Sequence, residues 1–465
     1  MTIFSDFTDA NSAAATVDAR GLEAFLRMRI SQGTLPAGTR LPPIREAAWE
    51  LHCAPGTVAR AYRGLVVAGL AHGEVGRGTF VGAAVEGVTF PPPAAPAAEN
   101  GGAGLVDLAL NAFRMVDPAP LLSPALAEAV ARLDVGQGYI PAGGERSDRE
   151  AALAFLSRWR DDLDIDCITV TGGTQPALFA TLLALRDQGA LACEALTYPG
   201  VLSIAQAVGT RVHAVAMDEQ GMCPEALDHL ARRGGIGAVF VMSGRQNPTG
   251  RIMSGERIVA LAEVAARHGL TIVEDQVYGF LSPEVPASFS RLLPEQTVLV
   301  SGLAKCVSPV LRVGYAAAPP LLNRRIRGIE SAMLLMVSPV LTHAARLVLK
   351  HPDFERRLHA LRCEADRRAG QAATILPDVR AADMTGGIAW MRLGNGWRAE
   401  DFAQEAERLG VRVSPSRHFA VDTRAAPEAV RICLAAEPDE GRLGEALARL
   451  ASLAGQAGER PPVAP

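Results

Sequence analysis

Residues 297–314 read TVLVSGLAKCVSPVLRVG, and this stretch decides the fold. Thr297, Val298, Leu299 and Val300 form a short apolar run without alternation, the pattern of a strand covered on both faces. Ser301 and Gly302 end the run, Lys305 follows at once, and Arg312 lies seven residues further on. Of the 46 basic residues in the chain, only Lys305 and Lys350 are lysines. Arginine replaces lysine wherever charge alone matters, so a retained lysine points to a task arginine cannot perform. Its amine can lose a proton and attack a carbonyl carbon, whereas a guanidinium stays protonated.

The same strand-then-polar pattern recurs outward from this stretch. Residues 167–170 (CITV) lead into Thr171-Gly172-Gly173-Thr174-Gln175, and residues 237–243 (GAVFVMS) lead into Asn247-Pro248-Thr249-Gly250. Residues 271–273 (TIV) lead into Glu274-Asp275, with Tyr278 three positions on. Further apolar runs are ALACEAL (190–196) and RVHAVAM (211–217), and helical patterns such as PALFATLLALRDQG (176–189) and ERIVALAEVAARHG (256–269) separate them. Strands alternating with helices predict an α/β domain with a largely parallel central sheet, whose ligands gather at the carboxyl ends of the strands. From about residue 340 come arginine-rich helices, then GGIAWMRL (386–393) and AVRICLA (429–435), read as a smaller α+β subdomain.

The N-terminal part has a different layout. Leu22, Phe25, Leu26 and Ile30 share one helical face, as do Ile44, Ala47, Ala48 and Leu51, and Val58, Ala61, Tyr62, Leu65 and Val66. Two short glycine-flanked β-like runs follow, GLAHGEV (69–75) and GRGTFVG (76–82). Three helices and a hairpin predict a winged helix-turn-helix whose reading helix covers about residues 55–68. Residues 91–104, PPPAAPAAENGGAG, have the composition of a linker. The expected organisation is a DNA-binding domain at 1–82, a linker at 83–104, the α/β domain at 105–455 and a tail at 456–465.

Composition sets outer bounds. With 465 residues, 49% hydrophobic and 21% charged, the chain is long enough for two or three globular domains. A net charge of −4 argues against a generally basic nucleic-acid coat protein and leaves room for a local DNA-binding module. The seven cysteines are scattered with no C-x-x-C pair, so neither a disulfide framework nor a zinc site is expected. No apolar run is long enough to span a membrane and the N-terminus, MTIFSDFTDA, has no basic leader, so a cytoplasmic protein is expected.

The strand-end residues fit one cofactor. A pyridine ring carrying a phosphate and an aldehyde needs a lysine, an anion for its ring nitrogen, donors for its phenolic oxygen and a cationic, N–H-rich cup. Lys305, Asp275, Asn247 with Tyr278, and Arg312 with the 171–175 turn provide one of each. On these residues the segment from about Leu105 to about residue 455 resembles the fold-type I aminotransferases, which use pyridoxal 5′-phosphate (PLP). The resemblance implies that Lys305 carries PLP, Asp275 pairs with the pyridinium, and Asn247 and Tyr278 bond the phenolic oxygen. It further implies that Arg312 and the Gly173-Thr174-Gln175 turn hold the phosphate, and that Tyr198 stacks on the ring. By the same likeness Tyr139 reaches the phosphate of a neighbouring subunit in a homodimer, and Arg431 binds a substrate or effector α-carboxylate. Two positions depart from the pattern. Gly302 and Ala304 stand where hydroxyl residues are usual, so a cup with fewer hydroxyl donors and weaker PLP affinity is expected.

Residues 18–82 resemble the GntR-type winged helix through GTLPAGTRLPPIREAA, GTVARAYRGL and GRGTFV. The resemblance implies that Arg45, Gly56, Thr57, Arg60, Tyr62, Arg63 and the wing residue Arg77 face double-stranded DNA. Ala54-Pro55 departs from the usual Ser-Arg at the start of the reading helix. The combination of the two domains is similar to the MocR-type transcriptional regulators. That likeness implies a regulator, with an aminotransferase-like domain that senses a small amino acid or amine through PLP aldimine exchange. Two other readings stay open: an active aminotransferase with a vestigial head, and a direct PLP sensor of vitamin B6 supply.

Overall fold

The structure is a computed structural model that describes residues 3–4, 17–31, 34–36, 38–67, 70–74, 78–81, 104–134, 138–282, 287–376, 379 and 383–456. The chain divides into two compact units, Met1–Thr89 and Phe90–Pro465.

In the first unit, helices Ala19–Ser31, Ile44–Glu50 and Pro55–Val67 precede strands β1 (Ala71–Glu74) and β2 (Gly78–Val81), which pair antiparallel. Leu22, Leu26, Val58, Ala61 and Leu65 are fully buried, so the three apolar stripes meet in one core. Pro55 stands at the start of its helix, where a missing N–H costs nothing.

The second unit opens with β3 (Val106–Asp107), β4 (Ile168–Thr171), β5 (Ala190–Glu194), β6 (Val212–Val215) and the small hairpin β7 (Met217–Asp218) and β8 (Gly221–Met222). It continues with β9 (Ile236–Val241), β10 (Thr271–Asp275), β11 (Thr297–Gly302) and β12 (Gly314–Ala317). The central sheet has seven strands in the order β4-β12-β11-β10-β9-β5-β6. β12 runs antiparallel to both neighbours, and the remaining pairs are parallel. β4, β5 and β11 are buried along their whole length, which is why they read as continuous apolar runs. Connections are tightly punctuated. Ser254 caps helix Gly255–His268 through the Arg257 N–H, and Gly269, at φ +64°, ends it so that β10 can start at Thr271.

A second lobe is built on β13 (Met384–Thr385), β14 (Ile388–Arg392), β15 (Val411–Arg412), β16 (Ser414–Pro415) and β17 (Ala429–Cys433). β13, β14, β17 and β16 form an antiparallel sheet, in that order. Ala372, Phe402, Leu443 and Leu447, from three covering helices, complete its core. The first strand of the unit, β3, pairs with β15 and so belongs to this late lobe. The strap that follows it, residues 108–118, runs back toward the central sheet. Arg357 locks that strap to the segment after Lys305: its guanidinium donates to the carbonyls of Val116 and Asp117 and to those of Cys306 and Val307. No helix among the described residues is long and apolar enough to cross a membrane.

Candidate cofactor and effector site

The carboxyl ends of β4, β9, β10 and β11 deliver their polar residues to one place. Lys305 stands just beyond β11, half-buried, with Nζ donating to the Asn111 carbonyl and lying 5.9 Å from the Tyr278 ring centroid. Burial, and secondarily the Arg431 charge, push its pKa down to about 8, against the opposing pull of Cys433 and Asp275. A sizeable neutral fraction near neutral pH is what a nucleophilic amine requires. Lys350 is exposed at the end of helix Pro339–Lys350. Asp275 ends β10, fully enclosed. Burial pushes its carboxyl up to about 7, opposed by the Val277 N–H, which donates to Oδ1 at 2.9 Å, and by Lys305. A carboxylate in that state gains most from a cationic N–H partner.

The two predicted phenolic-oxygen donors are each held from behind. Arg431 Nη1 donates to Asn247 Oδ1 at 2.8 Å, which leaves the amide nitrogen of Asn247 as its free end. Asn111 Nδ2 donates to the Tyr278 hydroxyl at 2.6 Å. Arg431 lies on β17 at 6% exposure, over the Phe419 ring, with Nη2 donating to the Ala109 carbonyl at 2.6 Å and Nε buried without a partner among the described residues. Tyr198 is half-buried and donates to Gln175 Oε1 at 2.8 Å, so that glutamine's side chain steadies the aromatic.

The phosphate cup is shaped by glycines. Gly173 adopts φ +121° at the start of helix Thr174–Leu185, and a Cβ there would lie 3.1 Å from Arg312 Nη2. A Cβ on Gly314 would strike the Gly173 carbonyl carbon at 2.4 Å. The Thr174 hydroxyl is buried without a hydrogen-bond partner among the described residues. Ser301 is turned away and donates to the Gln276 carbonyl at 3.2 Å. A helix N-terminus, an arginine beside it and an orphaned buried hydroxyl make a set of donors suited to an anion. Lys305, Asp275 and this cup therefore fit the chemistry of PLP. Glu330 stands beside the turn; it accepts the Gly172 N–H at 2.9 Å, and burial raises its pKa. Tyr139 is 77% exposed.

In the winged-helix unit the expected DNA-facing residues divide. Arg45, Gly56, Arg60 and Arg63 are exposed. Tyr62 is 3% exposed and its hydroxyl donates to the Pro42 carbonyl, so its ring belongs to the core of the unit, and Thr57 is 8% exposed. Arg77 lies outside the described residues.

Sequence reasoning missed Asn111, the Ala109 carbonyl and Glu330. The first two act from the strap, largely through backbone oxygens, which no side-chain pattern announces.

An aminotransferase-like fold behind a helix-turn-helix head is thus defined by the geometry, and similarity to known proteins agrees. Residues 104–450 match the family described as aminotransferase class I and II, and residues 19–81 match bacterial regulatory proteins of the gntR family. The chain belongs to the aminotransferase class I and II family, and its head matches the gntR family of bacterial regulatory proteins, the two-domain layout of the MocR-type regulators that it resembles. It is 26% identical to the uncharacterized HTH-type transcriptional regulator YdeF of Bacillus subtilis, over 90% of each chain. It is 27% identical to the vitamin B6 salvage pathway transcriptional repressor PtsJ of Salmonella typhimurium, over 83% of this chain and 90% of that one. Among solved structures, the Pyrococcus horikoshii kynurenine aminotransferase superposes with a TM-score of 0.69 at 21% identity, over 75% of this chain and 90% of that one.

Proposed function

We propose that this regulator binds operator DNA as a homodimer and senses an amino compound in a PLP-loaded site centred on Lys305. The observation that carries the reading is the meeting of Lys305, Asp275, Asn247, Tyr278 and the Gly173–Arg312 cup at one end of the sheet, in a chain with a GntR head. Bound PLP would supply an aldehyde that a lysine, or a competing amine, takes up reversibly with loss of water. Lys305 offers its amine, in part unprotonated at neutral pH. Asp275 holds the ring nitrogen's proton, and Asn247 and Tyr278 donate to the phenolic oxygen. Thr174, the Gly173 turn and Arg312 bind the phosphate. Arg431 selects a carboxylate on the incoming amine, and Tyr139, exposed on its own chain, completes the site of the second copy.

Occupation alters DNA binding only where two arrangements of the chain differ in affinity for the effector. The test is anisotropy of a duplex selected by the full-length protein from a random pool, alone, with PLP, and with PLP plus α-amino acids, γ-aminobutyrate, taurine or putrescine. A change that needs both PLP and an amine supports the reading. No change with any amine overturns it.

A second reading, direct sensing of B6 supply, is favoured by one observation, the similarity to PtsJ, a transcriptional repressor of the vitamin B6 salvage pathway. In the same assay it predicts a full response to PLP alone.

A further inference from the structure

We propose that Asn111 is a positioning residue, which directs the Tyr278 hydroxyl proton toward the cofactor's phenolic oxygen; the proposal rests on the PLP reading above. The Asn111 amide nitrogen, 2.6 Å from the Tyr278 oxygen, can only donate. It takes up a lone pair of that oxygen, so the single phenolic proton must point elsewhere. The same residue's carbonyl accepts from Lys305 Nζ, so Asn111 touches the reactive amine and the tyrosine together. Arg431 acts on Asn247 in the same sense, occupying Oδ1 and leaving the N–H₂ free. Both predicted donors to one ring oxygen are thus set by a second donor behind them, one charged and one neutral.

The strap keeps its path without the Asn111 side chain. The Leu108 carbonyl accepts from Cys433 N–H at 2.8 Å, and Arg114 N–H donates to the Ala435 carbonyl at 2.9 Å. Asp107 Oδ1 accepts the N–H groups of Ala109 and Leu110, and the Phe113 ring stands 6.0 Å from that of Tyr278. Substitutions at 111 therefore alter hydrogen-bond polarity and leave the backbone in place. The charged and titratable groups around Tyr278 are Arg431, Cys433, Asp275, Tyr198 and Lys305.

A donor to the phenolic oxygen lowers the proton affinity of the bound chromophore, and its loss raises it. The experiment is a pH titration of visible absorbance on PLP-loaded full-length protein. The variants are Asn111→Leu, which deletes the donor, Asn111→Asp, which replaces it with an acceptor, Tyr278→Phe, and the double variant Tyr278→Phe/Asn111→Leu. Asn111→Leu and Asn111→Asp should move the transition to higher pH, by about one unit for the acceptor. In the Tyr278→Phe background Asn111→Leu should add nothing. Two variants at 111 guard against one that fails to load. An unmoved transition, or an equal shift with and without the Tyr278 hydroxyl, overturns the proposal alone. A wild type that takes up no PLP overturns the cofactor reading as well.

Discussion

A Cβ placed on Gly302 would lie 2.6 Å from the Thr174 hydroxyl, which is itself buried without a partner among the described residues. The two residues exchange roles. Position 302 gives up a side chain, and the space admits a threonine whose oxygen faces the same cup. The hydroxyl donor expected to be missing at 302 is thus available from across the turn, and the backward-turned Ser301 is not needed for it.

The pair makes a reciprocal prediction. Thr174→Ala should weaken PLP binding about tenfold or more, the scale of a hydrogen bond to a charged group. Gly302→Ser should also weaken it, because the new side chain collides with Thr174. The double variant should recover much of the loss, since a serine at 302 then has room to donate. Dissociation constants from absorbance titration would measure this coupling, and strictly additive losses would refute it.

Asp275 makes the stability of the cofactor-free protein depend on pH. Its folded pKa, about 7, lies above the ordinary carboxyl value, so between these limits the folded state holds a proton that the unfolded state has released. Stability is then highest below about pH 4 for this group and is lost as pH rises through about 7. Asp275→Asn removes that loss. Urea midpoints should show the variant gaining on wild type from about pH 5 to about pH 8, while its PLP affinity falls. Parallel midpoints would contradict the burial argument.

Arg431 should sort effectors by chemistry. Arg431→Ala removes the guanidinium next to Asn247 and should cost carboxylate-bearing amines about a hundredfold in the concentration needed to change DNA binding, as for a lost buried ion pair. A diamine should lose far less. Equal losses for both would show that Arg431 acts only by holding Asn247.

In the winged-helix unit, Arg45→Ala should reduce DNA affinity and lower the slope of its salt dependence by about one, with PLP uptake unchanged. Tyr62→Phe should leave the salt slope alone and lower the unit's stability by about 1 kcal/mol, through the lost bond to Pro42. A changed slope in Tyr62→Phe would return that residue to the DNA face.

Much of this was legible in the chain. The strands that lead to Lys305, Asp275 and Asn247 are buried on both faces, so their apolar runs stand out, and the lysine stands out among arginines. β12 was not legible, because Gly314–Ala317 is four small or aromatic residues with no run around them. Tyr62 belonged to the apolar stripe of its own helix, with Val58 and Leu65, and that stripe, more than its polar hydroxyl, decided its place. Asn111 could not be found because its partners Tyr278 and Lys305 lie 167 and 194 positions away, and one of the contacts uses its backbone. Thr174 was assigned to the cup through its turn, but the room that Gly302 leaves for its hydroxyl appears only when β11 and the turn after β4 are side by side.

The central claim is that Lys305 holds PLP, and a visible absorbance spectrum with added PLP tests it directly, before and after borohydride. Wild type and Lys350→Ala should show a band that borohydride bleaches and fixes to the protein, and Lys305→Ala should show none. A reducible band that survives in Lys305→Ala, or is lost in Lys350→Ala alone, would contradict the account.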